Sequence, residues 1–114
     1  MFNMSTTPTF FGLYVGDELV GVNSGHMCLG NHYRSRGLFV YPKHRGKNYG
    51  VMLLYRTVEQ GKKEGAEMVW SLPRQTSIKT YQAAGFELAS EWFPTETSDF
   101  NAYVKNNLGN MKVD

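Results

Sequence analysis

Val40-Tyr41-Pro42-Lys43-His44-Arg45-Gly46-Lys47-Asn48-Tyr49-Gly50-Val51 passes from one structural character to another over a short stretch. Val40 and Tyr41 are strand formers, and Pro42, which cannot donate to a sheet ladder, ends that strand. Lys43, Arg45 and Lys47 then alternate with His44, Gly46 and Asn48. From Val51 the pattern takes a helical period: Val51, Leu54, Tyr55 and Val58 fall at i, i+3, i+4 and i+7, against polar Arg56, Glu59, Gln60, Lys62 and Lys63. Gly65 supplies a C-terminal stop. Met68 to Leu72 follows as a short apolar strand ended by Pro73. Strand, helix and strand in this order predict a right-handed crossover and a parallel pair. The first amides of such a helix lack intrahelical partners and sit at the positive end of its dipole. The turn is therefore either an ordinary strand-to-helix connection or a cradle for an anion. Neither G-x-x-x-x-G-K-[ST] nor G-x-G-x-x-G is present.

Upstream, Phe10 to Val15 and Leu19 to Leu29 read as a hairpin about Gly16-Asp17. Gly30-Asn31 turns the chain into a third strand, Tyr33 to Tyr41, which completes an antiparallel meander. Downstream, Thr76 to Ala84 is a short helix stopped by Gly85, and Phe86 to Phe93 and Asp99 to Val104 read as two more strands. The expected fold is α/β: a mixed, mostly antiparallel sheet with one β-α-β crossover and helices packed on it. No repeat or linker divides residues 1–114, which read as a single domain.

At 41% hydrophobic and 14% aromatic, the chain has the side chains for a packed core. A net charge of +2 is too small for a surface dedicated to nucleic acid, so no nucleic-acid partner is expected. The charge is uneven, however. Arg34, Arg36, Lys43, Arg45, Lys47 and Arg56 occupy a stretch without any acidic residue, whereas Glu87, Glu91, Glu96 and Asp99 fall together further on. The lone Cys28 suits a reducing compartment, no apolar run is long enough for a bilayer, and Met1 to Pro8 lacks a secretory pattern. A cytoplasmic protein without a membrane partner is the expectation. His26, Cys28 and His32 lack the fourth ligand and the spacing of a zinc site, so no metal is expected. Gly21 to Gly25 is not a G-x-S-x-G nucleophile elbow. Arg34-Ser35-Arg36-Gly37, with Tyr33, Phe39 and Tyr41 nearby, has the makings of an RNA-stacking patch but comes without an RNP-type motif. Trp70 and Trp92 read as core or pocket wall.

Val40-x-Pro42-x-x-Arg45-Gly46-x-x-x-Gly50, followed by Leu53-Leu54, resembles the acetyl-CoA loop of the GNAT superfamily of N-acetyltransferases, commonly V-x-P-x-x-R-G-x-G-x-G-x-x-L-L. Tyr81-Gln82-Ala83-Ala84-Gly85-Phe86 is similar to a second motif of that family, Y-x-x-x-G-F. The resemblance implies that backbone groups of Leu38, Phe39 and Val40 pair with the pantetheine arm and hold the acetyl group, as an added strand would. It implies that Arg45, Gly46, Lys47, Asn48, Tyr49, Gly50 and Val51 receive the pyrophosphate. Tyr81 stands where many members place a phenol that protonates the departing thiolate. The implied reaction is direct attack of a primary amine, of a small molecule or a peptide, on acetyl-CoA in a ternary complex. A non-catalytic acyl-CoA-binding module is the alternative.

Asn48 replaces the middle glycine of the family loop, and asparagine tolerates left-handed backbone better than other non-glycine residues. Arg74 stands where the family often carries an asparagine, and can reach a phosphate or carbonyl of CoA. Tyr33 to Tyr41 contains no carboxylate to act as general base, which leaves water or a carboxylate such as Glu67 or Glu91 for that task. Only a short segment precedes Phe10, where relatives carry a strand and helices, so the chain reads as a shortened member. An open apolar sheet face drawing on Phe2, Phe10, Phe11, Tyr14, Trp92, Phe93, Phe100 and Tyr103 is expected to make a homodimer.

Overall fold

The computed structural model describes residues 7–108. Strand β1 (Thr9–Val15) turns at Gly16-Asp17 into β2 (Glu18–Cys28), and β3 (His32–Val40) runs back antiparallel to β2. A single 3₁₀ turn over Pro42–His44 leads to helix α1 (Tyr49–Lys63), then β4 (Met68–Ser71), which lies parallel to β3. A second 3₁₀ turn (Gln75–Ser77) runs directly into helix α2 (Ile78–Ala83). The main sheet has the order β1-β2-β3-β4-β8-β5, and only the β3–β4 pair within it is parallel. This is the mixed α/β architecture expected from the alternation of periods in the sequence. No helix among the described residues is long and apolar enough to cross a membrane.

The C-terminal part corrects two expectations. The strand expected over Phe86 to Phe93 is only β5 (Glu87–Leu88), and the one expected over Asp99 to Val104 is divided in two. β6 (Phe93–Thr95) and β7 (Ser98–Asn101) form a separate two-stranded sheet, while β8 (Val104–Asn107) enters the main sheet between β4 and β5. The cause lies outside local propensity. Ala102 donates its amide to Pro73 O at 3.2 Å, and Asn101 Nδ2 donates to Leu72 O at 2.9 Å, so the chain is pulled away from a continuous strand at that point.

Both helices pack on one face. Leu54 and Val58 of α1 and Tyr81 of α2 share a core with Tyr33, Val69, Phe86 and Val104. Side chains alternate across a strand, so Arg34 and Trp70, the neighbours of Tyr33 and Val69, lie on the other face. There the Arg34 guanidinium stacks over the Trp70 ring at 4.7 Å, and Trp70 meets Tyr103 at 5.8 Å. No helix among the described residues covers this second face. Of the aromatics expected to make a subunit contact, Phe10 is 77% and Tyr14 60% exposed, and Phe2 lies outside the described residues.

The frame is held by Tyr33, whose ring is fully buried in the middle of the sheet. It fits because its neighbours have no side chains: a Cβ at Gly25 would lie 2.3 Å from Tyr33 Cε2, and one at Gly61 of α1 would lie 3.2 Å from the same ring. The hydroxyl donates to Glu64 Oε2 at 3.1 Å, which ties β3 to the end of α1. Burial pushes the phenol up to about 12, so it stays a neutral donor. Gly25→Ala forces the ring to move in a packed core, and such overpacking costs about 1–3 kcal/mol. Chemical denaturation of Gly25→Ala should show an unfolding free energy lower by that amount, read as a lower midpoint with an unchanged slope.

Candidate active-site cleft

Pairing between β3 and β4 begins at His32–Met68, continues through Tyr33–Val69, and ends at Arg34–Trp70. β3 continues to Val40, so its last residues have no strand beside them on the β4 side. β4 itself ends at Ser71, one residue past the last pair, and β3 runs on into an irregularity of its own against β2. Val22 of β2 faces Phe39 and Ser24 faces Arg36, so Asn23 alone spans Gly37 and Leu38. That is a β-bulge, and Gly37 supplies the left-handed backbone it needs (φ 84°). The bulge also rephases the side chains. Tyr33 and Ser35 are buried on the helix side, and beyond the bulge Leu38 and Val40 point to that side too, both beside Gly50 of α1. A glycine inside a strand pattern is the signal from which this bulge can be read.

Two adjoining cavities occupy the gap. The first, about 410 Å³, is lined by Leu38, Phe39, Val40, His44, Arg45, Gly46, Asn48, Tyr49, Gly50, Val51, Arg74, Thr76, Ser77 and Thr80. The N-terminus of α1 opens directly into it. Asn48, the residue preceding the helix, is left-handed (φ 64°, ψ 16°), and its side chain makes no capping bond, so the amides of the first turn are not taken by it. Of the predicted site residues, Leu38, Phe39, Val40, Arg45, Gly46, Asn48, Tyr49, Gly50 and Val51 come together here. Lys47 does not line the cavity, and Lys43 pairs instead with Glu18 at 3.1 Å. Arg45 spends its Nε on Val40 O at 2.7 Å, pinning the turn to the strand end. The positive character of this wall therefore comes from backbone amides, the rest of Arg45 and Arg74 more than from the lysines.

The second cavity, about 490 Å³, is lined by Arg34, Ser35, Arg36, Gly37, Leu38, Ser71, Leu72, Pro73, Arg74, Ser77, Tyr81, Thr97 and Asn101. Leu38, Arg74 and Ser77 belong to both cavities, so the two form one cleft. Tyr81 is 4% exposed and stands edge-on to Phe86 at 5.5 Å. Its hydroxyl lies 3.5 Å from Ser71 Oγ, and Ser71 Oγ donates to Ser35 O at 2.7 Å. Burial raises the phenol above its ordinary value, with the contacts to Ser71 and Ser35 opposing, so it keeps its proton at neutral pH. Neither Glu67 nor Glu91 lines either cavity. Ser71, Thr97 and Asn101 are not legible as site residues, because the fold and the C-terminal hairpin bring them to β3 from distant positions. A larger open depression of about 690 Å³ beside α1, reached by Met52, Tyr55 and Gln82, holds none of the predicted site residues. Cys28 and His32 face each other across β2 and β3, and among the described residues no three His, Cys, Asp or Glu are grouped as for a metal ion.

The fold has solved counterparts. An acetyltransferase of Bacillus subtilis, in complex with CoA, superposes with a TM-score of 0.74 at 18% identity over 86% of this chain and 75% of its own. The PaiA N-acetyltransferase of Thermoplasma acidophilum, in complex with coenzyme A, gives 0.70 at 20% identity over 88% of this chain and 60% of its own. An aminoglycoside 6'-N-acetyltransferase complexed with coenzyme A gives 0.75 at 13% identity, covering 89% and 73%. No curated protein matches the sequence. The acetyltransferase (GNAT) family matches residues 2–86, a span that holds the meander, the turn before α1 and the Tyr81 motif, and the chain belongs to that family.

Proposed function

We propose that the chain transfers an acetyl group from acetyl-CoA to a primary amine, by direct attack in a ternary complex. The observation that carries this reading is that an unpaired strand edge, the uncapped amides of α1 and a buried, protonated phenol all border one cleft. The pyrophosphate would lie on the amides of Tyr49, Gly50 and Val51, where the helix dipole favours negative charge, with Arg45 beside them. Gly46 leaves room for close approach, since a Cβ there would meet nothing within 4 Å. The pantetheine arm would run along the free edge of Leu38, Phe39 and Val40, pairing as an added strand. The names of the three counterparts above, each solved with CoA, support the same cosubstrate.

The amine nitrogen attacks the thioester carbonyl carbon, and the carbon–sulfur bond breaks. Tyr81 Oη gives its proton to the departing thiolate and regains one from solvent. The amine's surplus proton passes to water, since no carboxylate lines the cleft among the described residues. Amides on the β3 edge stabilise the carbonyl oxygen as it gains charge.

Two measurements test this. Millimolar acetyl-CoA should raise the melting temperature of the wild type. Asn48→Asp keeps a residue suited to the position and adds only a negative charge, so it should weaken acetyl-CoA binding at least about tenfold, without lowering the melting temperature of the free protein. No shift in the wild type would refute the cosubstrate. In a chemistry-limited thiol-release assay, Tyr81→Phe should lower kcat about 10²-fold with little change in the affinity for acetyl-CoA. On the alkaline side, wild-type kcat should fall once the pH passes the phenol's raised value, and the variant should lack that alkaline limb. A protein that binds acetyl-CoA yet releases no thiol with any amine is instead the non-catalytic module.

A further inference from the structure

The second cavity has a charge that acetyl transfer does not call for. Arg34, Arg36 and Arg74 line it, and no aspartate or glutamate among the described residues does. None of the three arginines has a salt-bridge partner among the described residues. Two carboxylates elsewhere are in use: Glu18 serves Lys43 and His44, and Glu64 accepts from Tyr33 and Gln60. Glu96, beside Thr97 in the hairpin turn, is exposed and does not line the cavity.

Arg34 is the most telling of the three. Its guanidinium is held over Trp70 at 4.7 Å, which orients the group, but its Nε is buried without a hydrogen-bond acceptor. A buried donor left unmade costs about 1–3 kcal/mol, and more when charged. The surrounding potential is felt by His26, the cross-strand partner of Arg34. Burial first, then Arg34 and Arg36, hold its imidazole below the ordinary value.

We propose that the amine acceptor carries an anionic group, carboxylate or phosphate, and that Arg34 and Arg36 hold it while the amine faces Tyr81. This rests on the acetyl-transfer reading. Planar guanidinium forks suit either oxyanion, and charge-assisted bonds of this kind are the strong ones. Acceptors with several ammonium groups, such as polyamines and aminoglycosides, are repelled from the same wall. The positive wall also lowers the basicity of the bound amine, which eases loss of its proton where no carboxylate among the described residues lines the cleft.

The test uses the full chain, saturating acetyl-CoA and four amines of matched length: 4-aminobutyrate, 3-aminopropylphosphonate, 4-aminobutanamide and 1,4-diaminobutane. Thiol release should give at least one of the two anionic amines a kcat/KM about tenfold or more above the amide, with the diamine slowest. Preference for the carboxylate or for the phosphonate identifies the anion. Arg36 is exposed, so Arg36→Gln should keep the fold, and it should reduce the advantage of the anionic amine over the amide to about threefold or less. Arg36→Lys should retain part of that advantage. Equal or faster turnover of the diamine or the amide overturns the proposal. If no amine turns over, added thermal stabilisation of the CoA-bound protein by an anionic amine, and not by the diamine, supports it, and none overturns it. Failure of acetyl-CoA itself to stabilise the protein is a separate result, which overturns the acetyl-transfer reading and this inference with it.

Discussion

A strand in the middle of a sheet has two edges to satisfy, and β3 satisfies the second for only three residues, as far as Arg34. Beyond that point its backbone groups on the β4 side must find water, a ligand or another part of the chain, because a buried unmade amide costs about 1–3 kcal/mol. The rest of the cleft follows from this constraint. β4 ends at Ser71, β3 runs on through the bulge at Gly37, Arg45 caps Val40 O at the far end, and Gly50 at the start of α1 lies beside Leu38 and Val40. What would be a defect in a plain sheet is here an opening bordered by donors.

Such an opening can persist only if the sheet is fastened elsewhere. Tyr33 does this at the closed end of the β3–β4 pair, with its ring seated against two glycines on different elements and its hydroxyl on Glu64. Asn23 adds a polar fastening beside the bulge: its Nδ2 donates to Ser35 Oγ at 3.0 Å and to Thr57 Oγ1 at 2.8 Å, joining β2, β3 and α1. A parted sheet held by a large buried ring and a buried amide resembles a hinge whose pin lies well away from its mouth.

Much of this was legible because the signals were local. The helical period from Val51, the glycine and asparagine turns, and Pro42 and Pro73 as strand ends all act within a few residues, and they place α1, β4 and the meander nearly where the structure has them. Asn48 in left-handed backbone is a further case in which one side chain's tolerance is enough to anticipate geometry. What escaped depends on partners far along the chain. Pro73 O draws Ala102 out of a strand, Glu18 draws Lys43 off the anion side of the turn, and the parting of β3 from β4 turns Arg34 and Arg36 from surface charges into a cavity wall. No pattern in a single segment encodes such competition between distant groups.

Leu38, Arg74 and Ser77 face both cavities, so each cavity is partly walled by residues that also touch whatever fills the other. A molecule resting on one side of these three side chains fixes their rotamers, and it spares a second molecule that entropic cost. The charge of Arg74 acts in the opposite sense when both occupants are anionic, because the first to arrive screens it from the second. The balance of ordering and screening makes the two affinities interdependent, and thermodynamic linkage requires the factor to be the same whichever ligand enters first.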